Sequence, residues 1–515
     1  MGLMVQAMPP RRSGARRAAG LFAATIALAL GCAVEDSGPR AGWLRHTLII
    51  DNQPFLDREP ELTKGKFAIM ADDLYRFVRG TAGQYARDVM MPGGAGRMPS
   101  DYESAKTRTV AITGDPHPEN IGTYRRADGE VTLNYNDFDG ATFGPYTYDL
   151  RRLALGLWFA GIRANLELEE LGGATAFSDD VKADAVRAAV RGYVDEIERA
   201  ERGEPALEVT KDRSFGAIAG EFLERATERG GERDRLRTYS RAESARRLTI
   251  GNVEPPREIE IGDHTHAVWE DTVEEISDVE AERVRGMLAG YAASLEDESA
   301  AAFVARAEIL GIGRRLGAGV SSYPNRRYYV LLGERGGADP ADAVLLDWKE
   351  VIDATELPGL EIFPSHPYTT NAERIVSQRR DLQGSPQVPA HDVWLGVAAS
   401  GADSFRVAER SGYQRGFSVD RLARDIDEGD VVPADFTAYA RLAGMLLARS
   451  HGAAPGLGRE PSGPAIAEAI GGDRAGLAEE TLRFVEQYAP VVLRDFELFR
   501  EAVADHGFDL GYRSP

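Results

Sequence analysis

Residues 114–120 read Gly-Asp-Pro-His-Pro-Glu-Asn, and after residues 121–136 the chain reads Asp137-Phe138-Asp139. The stretch between limits what this region can fold into. Thr109–Ile112 is a short β-branched and apolar run, and Val131–Tyr135 alternates apolar with polar residues as a half-buried strand does. Ala127-Asp128-Gly129-Glu130 carries an Asp-Gly turn signal. A hairpin-like pair follows, with the two motifs at adjacent ends and Asp115, Asn120 and Asp137 brought together.

Those residue types suit metal-assisted phosphoryl transfer. One carboxylate, Asp115, takes or orients an acceptor hydroxyl. The amide oxygen of Asn120 and the carboxylate of Asp137, with Asp139 for a second ion, hold Mg2+ against the phosphates of ATP or another nucleotide. Asp and Asn also populate turns because their side chains bond local backbone, so any one of them alone reads as a turn residue. The combined pattern is harder to explain that way. A cleft that binds without turnover is the other reading.

The Gly114–Asn120 loop resembles the catalytic loop of kinase-like phosphotransferases of the aminoglycoside phosphotransferase and choline kinase type. The resemblance puts Asp115 on the catalytic Asp, Asn120 and Asp137 on the metal ligands, and His117 on a loop His, a second catalytic candidate. Gly144 to Asp149-Leu150 is similar to a segment of those enzymes in which the Asp caps a helix and braces the loop. Such a fold also needs a glycine turn over the phosphates and a strand lysine. Both come downstream. Gly311–Ser322 reads as a small-residue turn containing Gly317 and Gly319, Arg327–Leu332 as a strand, and Ala343–Glu350 as a second strand carrying Lys349.

Asn371–Leu382 reads as a helix bearing Arg379, and Ser404–Glu409 as a strand. Asp435–Ser450 reads as a helix ending Leu447-Ala448-Arg449-Ser450-His451. In the resembled enzymes a helix ending in a similar way precedes the catalytic loop, whereas here it comes far later. The expected fold class is therefore α+β, protein-kinase-like and circularly permuted, with a large helical block.

The ordered motifs Phe77–Gly80, Gly114–Gly122, Asn136–Asp139, Asp149–Leu153, Trp348–Glu350, Arg374–Arg379 and Ala448–His451 identify the chain as resembling the bacterial domain of unknown function 2252 family. Its members usually carry Gly-Ser-x-Gly-x-Arg in the glycine turn, from which Gly319–Arg326, longer and containing Pro324, departs.

The N-terminus reads as an export signal. Arg11, Arg12, Arg16 and Arg17 precede an uncharged, mostly apolar run from Ala18 to Gly31, short for a membrane span and suited to a signal-peptide core. Small residues before Cys32 resemble a bacterial lipoprotein processing site, and Cys32 is the single cysteine of the chain. The expected layout is a signal peptide to residue 32, a tether over 33–44, a catalytic-loop segment over 45–160, a helical block over 161–310, a nucleotide-lobe-like sheet over 311–410 and C-terminal helices over 411–515. The expected location is the bacterial envelope, anchored by lipid alone. Compartments outside the cytoplasm are poor in ATP, which would demand another donor or favour a catalytically inactive pseudo-kinase binding a nucleotide or anionic ligand.

Net charge is −21 and would be −25 without the four arginines of residues 1–31. Such an acidic chain argues against nucleic-acid partners and leaves a small molecule or envelope component as substrate. Arg79, Arg151, Arg152, Arg326, Arg327, Arg374, Arg379 and Arg380 are candidates for gripping an anion, each with an ordinary ion pair as the simpler role. His264 and His266 share a strand face, with no cysteine or aligned carboxylate to make a zinc site.

Overall fold

The computed structural model describes residues 38–126, 129–205, 207–213, 215–229, 256–270, 272–333, 343–352, 362–383 and 392–513. The expected signal peptide, Cys32, Asp128 of the hairpin turn and residues 230–255 of the expected helical block lie outside them.

Helices α1 (Gly38–Arg58), α2 (Pro60–Asp72), α3 (Leu74–Gly80) and α4 (Ala82–Met90) open the described chain. Strand β1 (Val110–Ile112), the hairpin β2 (Ile121–Arg125) and β3 (Val131–Tyr135), and β4 (Thr142–Gly144) follow, then α5 (Tyr146–Leu171), α6 (Asp179–Glu201) and α7 (Ala217–Arg229). A second hairpin, β5 (Arg257–Ile261) and β6 (His264–Val268), precedes β7 (Thr272–Glu274), α8 (Asp278–Ser294) and α9 (Glu298–Arg306). Next come β8 (Glu308–Leu316), β9 (Arg327–Gly333), β10 (Val344–Glu350), α10 (Asn371–Gln383), β11 (Gly396–Ser400) and β12 (Asp403–Glu409). Helices α11 (Val419–Asp427), α12 (Pro433–Ala453), α13 (Gly463–Ile470) and α14 (Arg474–His506) close it. The fold is mixed α and β with small antiparallel sheets.

The largest sheet is six-stranded and antiparallel, in the order β11-β12-β10-β9-β8-β7. Alternation divides its residues between two faces. Tyr328, Val330, Leu346, Trp348, Phe405 and Val407 pack on one face against Val284, Met287 and Tyr291 of α8. Tyr329, Asp347, Lys349 and Arg406 point the other way. The main core lies elsewhere, among α1 to α6, the small strands and α12 to α14.

Helices α6 and α12 form the most extensive helix pair, and glycine lets them meet closely. A Cβ on Gly444 would collide with the carbonyl of Ala189, and one on Gly192 with that of Arg441. Gly444→Ala should therefore lower the free energy of unfolding by about 1–3 kcal/mol through overpacking. An unchanged urea midpoint would mean that the helices separate without cost.

Three expectations change. The tether is shorter than 33–44, because α1 begins at Gly38 and buries Leu44. Arg40 ties that start to Asp88 at 2.9 Å and Asp495 at 2.8 Å, partners too distant in sequence for local pattern to reveal. Gly311–Leu316 is strand, not turn: it pairs with β9, with a bulge between Ile309 and Gly311, and the chain turns only after Leu316. Finally, β3 pairs with β2 rather than with the 109–112 run, which as β1 joins β4, and it is buried on both faces rather than half-buried. Its polar residues find internal carbonyls, Thr132 Oγ1 donating to Val209 at 2.8 Å and Asn134 Nδ2 to Gln383 at 3.1 Å.

Candidate functional site

Strand β1 is fully buried and pairs with β4. Two residues beyond it lies Gly114, whose φ of 81° is open to glycine and strained for other residues. A Cβ there would also strike the carbonyl of Gly140, so glycine allows the 114–120 loop to lie against the 137–140 turn. Asp149, in the first turn of α5, holds the same loop from behind. Its carboxylate accepts from Thr113 N at 2.7 Å, Thr113 Oγ1 at 2.8 Å, Gly114 N at 3.0 Å and His451 Nε2 at 3.0 Å. His451 Nδ1 meets the Tyr193 hydroxyl at 2.9 Å. An ionised Asp149 only accepts, so Nε2 carries a hydrogen, and Nδ1 of a neutral ring accepts from Tyr193. Asp149 and His451 are completely buried.

The candidate residues Asp115, Asn120 and Asp137 lie on the other side of the loop backbone from that brace. Arg152 Nε donates to Asp115 Oδ1 at 2.7 Å. Burial, with a smaller contribution from Asp137, holds the Asp115 carboxyl above the usual range in spite of Arg152. Asn120 Nδ2 donates to the Asp115 carbonyl at 2.8 Å, which leaves Oδ1 as the atom offered to a cation. Hairpin register sets Ile121 opposite Tyr135, and Asn136 N donates to the Asn120 carbonyl at 2.9 Å. Asp137 therefore follows directly beside Asn120, and its Oδ1 accepts from Asp139 N at 3.3 Å.

His117 is placed differently. Its ring is buried, lies edge-on to Tyr75, and has no partner at Nδ1 among the described residues. Burial, with Arg79 and Arg152 nearby, keeps it neutral. That position suits packing better than proton transfer.

Lys349 reaches the site across the large sheet. Its ammonium pairs with Asp139, and Arg406 lies 3.8 Å from the other Asp139 oxygen. Register explains the clustering: Lys349 is opposite Arg327 on β9 and Arg406 on β12, a row of three cations across three strands. Asp347, two residues back on the same face, takes Arg327 Nε at 2.6 Å. Burial opposes charge on both carboxylates, yet their cationic neighbours hold Asp139 and Asp347 below the usual range. Asp139, expected as a second metal ligand, is thus engaged with Lys349. Arg406 and Asp347 were not singled out from sequence. Alternation within Asp403–Glu409 marks Arg406 as facing away from Phe405 and Val407, but only strand pairing sets it beside Lys349.

The other expected ligands are placed less directly. Arg379 pairs with Asp392 at 3.2 Å. Gly317 packs against the Trp269 carbonyl and Gly319 beside the Ser322 hydroxyl, so the glycines shape the turn while Ser321, Ser322 and Asn325 line a cleft. Most of the candidate arginines have carboxylate partners: Arg79 with Glu119, Arg151 with Glu480, Arg326 with Glu350, and Arg380 with Glu296. Arg374 instead clamps the carbonyls of Asp139 and Ala141. His266 Nε2 meets the Glu61 carbonyl at 2.9 Å.

A family model described as uncharacterized protein conserved in bacteria (DUF2252) matches residues 58–502. The chain belongs to this family. No curated protein and no solved structure matches it. The DUF2252 match takes in the 114–120 loop, Asp137, Asp149, Lys349 and His451, and also α2 to α4.

Beside the loop of this DUF2252 protein opens a cleft of about 670 Å3. It runs between α1, α2, α4, the 321–325 turn and the start of α10. Asp139 and Gly140 line it; Asp115, Asn120 and Asp137 do not. Among the described residues no group of three His, Cys, Asp or Glu side chains is arranged to hold a metal. Mg2+ needs no such cage, since it keeps several waters and takes one or two carboxylates plus substrate phosphates. The oxygen donors of Asn120 and Asp137 fit that habit.

Proposed function

We propose that this protein is a kinase-like, Mg2+-dependent phosphotransferase acting on a small molecule or envelope component. The observation that carries the reading is the pairing of Lys349 with Asp139, two residues after Asp137, while the Asn120 amide nitrogen donates to the Asp115 carbonyl. In this reading Asp115 orients the acceptor hydroxyl and receives its proton. Asn120 Oδ1 and Asp137 hold Mg2+, which would neutralise charge on the transferring phosphoryl group. Lys349, with Arg327 and Arg406 beside it, offers fixed positive charge to the phosphates. Asp149 and His451 keep the loop in place.

Support for a permuted kinase-like order comes from the C-terminal helices. The end of α12 reaches the loop through His451 and Asp149, and Leu457 N donates to the Thr109 carbonyl at 3.1 Å. Residues late in the chain thus lead to the start of β1, the place a helix would hold in the unpermuted order. The lipoprotein reading of residues 1–32 is part of the proposal: fatty-acid labelling should be lost in Cys32→Ser.

Turnover of Mg2+ and ATP, GTP or pyrophosphate tests the reading, with acceptors screened in parallel. Asp115→Asn should cut turnover by about 100-fold or more and leave the thermal shift caused by Mg2+ and nucleotide. Asp137→Asn should remove both. Full turnover in both variants would exclude these roles. A second reading, a cleft that binds without transfer, is favoured by the ion pair between Arg152 and Asp115. It expects a metal-dependent shift with no product.

A further inference from the structure

The cleft beside Asp139 has an unbalanced lining. Each carboxylate on its wall already has a cation: Asp51 has Arg87, Asp139 has Lys349, and Glu350 has Arg326. Two cations on the wall have no carboxylate among the described residues. Lys66, on α2 and only 5 % exposed, donates to Asn52 Oδ1 at 2.7 Å and has no ion pair. Arg374, 7 % exposed, bonds Asn371 and the carbonyls of Asp139 and Ala141. Asp51 is the acid nearest in effect to Lys66. Its carboxylate is already taken by a two-pronged Arg87 contact and by Gln84 at 2.9 Å. An ammonium removed from water without a counter-charge is costly, and a lysine offers three donors, of which Asn52 uses one.

The rest of the wall is partly apolar. Phe55, Ile352, Phe363 and Ile375 line the same space. A pocket of this size, with a few polar groups set in apolar walls, has the character of a small-molecule site.

We propose that this cleft binds a small organic acid, its carboxylate or phosphate oxygens meeting Lys66 and its apolar body lying along Phe55, Ile352 and Phe363. The bound acid supplies the counter-charge that the protein withholds. Because Asp139 and Gly140 line the cleft, the acid is the phosphoryl acceptor if the transfer reading above holds, and that assignment alone rests on it. The binding site does not.

The test is thermal unfolding of the full-length protein with octanoate, octyl phosphate or octanamide, ligands alike in apolar body and different in charge. A ligand that binds only the native state raises the midpoint. Both acids, or one of them, should raise it and octanamide should not; the acid that acts at lower concentration identifies the head group. Lys66→Met should weaken that response by about tenfold or more, the scale of one lost charge-assisted bond. Asn52→Asp, which gives Lys66 an internal counter-charge, should weaken it similarly and serves if Lys66→Met does not fold. No response to either acid, an equal response to octanamide, or a response undiminished in the folded variants would overturn the proposal. Asp137→Asn should keep the acid response, so loss of transfer chemistry and loss of this site are read separately.

Discussion

Asp149→Asn should lower the free energy of unfolding by about 3–5 kcal/mol, the scale of leaving two or more buried donors without an acceptor. The carboxylate takes four hydrogen bonds, three from the Thr113-Gly114 segment and one from His451, and is completely buried. An amide offers one oxygen, and its NH2 would face donors. Buried donors left without acceptors each cost about 1–3 kcal/mol, so a loss toward the upper end is expected. The urea midpoint of Asp149→Asn beside that of the parent is the measurement. A change below about 1 kcal/mol, the net worth of a single ordinary hydrogen bond, would mean that the loop is held by something else. The same variant should lose turnover even where it remains folded, because Asp149 positions Asp115 through the Thr113-Gly114 backbone rather than touching a ligand.

Lys66→Met should act in the opposite direction. Burial pushes the Lys66 ammonium down to about 8, against the attraction of Asp51. Set against an ordinary lysine, that depression corresponds to roughly 3 kcal/mol of destabilisation while the charge is buried. Removing the amine leaves Asn52 Oδ1 without its donor and gives back about 1 kcal/mol, so a net gain of about 2 kcal/mol at pH 7 remains. The pH dependence has a definite sign. Between about 8 and the ordinary lysine value the unfolded chain holds a proton that the folded chain has released. Unfolding there takes up a proton, and stability rises with pH. The parent should therefore close the gap to Lys66→Met as pH rises through that window, and the gap should be widest and flat below it. A variant less stable than the parent at pH 7 would show that Lys66 finds its counter-charge within the protein. A gain in stability together with a loss of acid binding is the pattern of a residue kept for a ligand rather than for folding.

Much of the loop was legible in the residues. Gly114, Asp115, Asn120 and Asp137 stand out by type and spacing, but the strand pairing that brings Asn120 beside Asp137 is that of β2 with β3, not the expected pairing of 109–112 with 131–135. The bracing role of Asp149 also follows from its motif, and the helices at 371–383 and 433–453 follow from their patterns. These features are local: a turn, a strand or a helix face is specified by neighbours a few residues away.

What the sequence by itself determined was therefore the strand at 131–135, the helices at 371–383 and 433–453, and the residue types that the loop carries. Tertiary structure alone decided the partners. Arg40 finds Asp495, Lys349 finds Asp139, and Lys66 finds no carboxylate among the described residues. Glycines 311 and 313 become strand because β9 lies alongside them. In each case the deciding contact joins segments remote along the chain. The energy of a buried charge depends on what lies within a few ångströms of it and on how much water is excluded, and neither is encoded in local pattern.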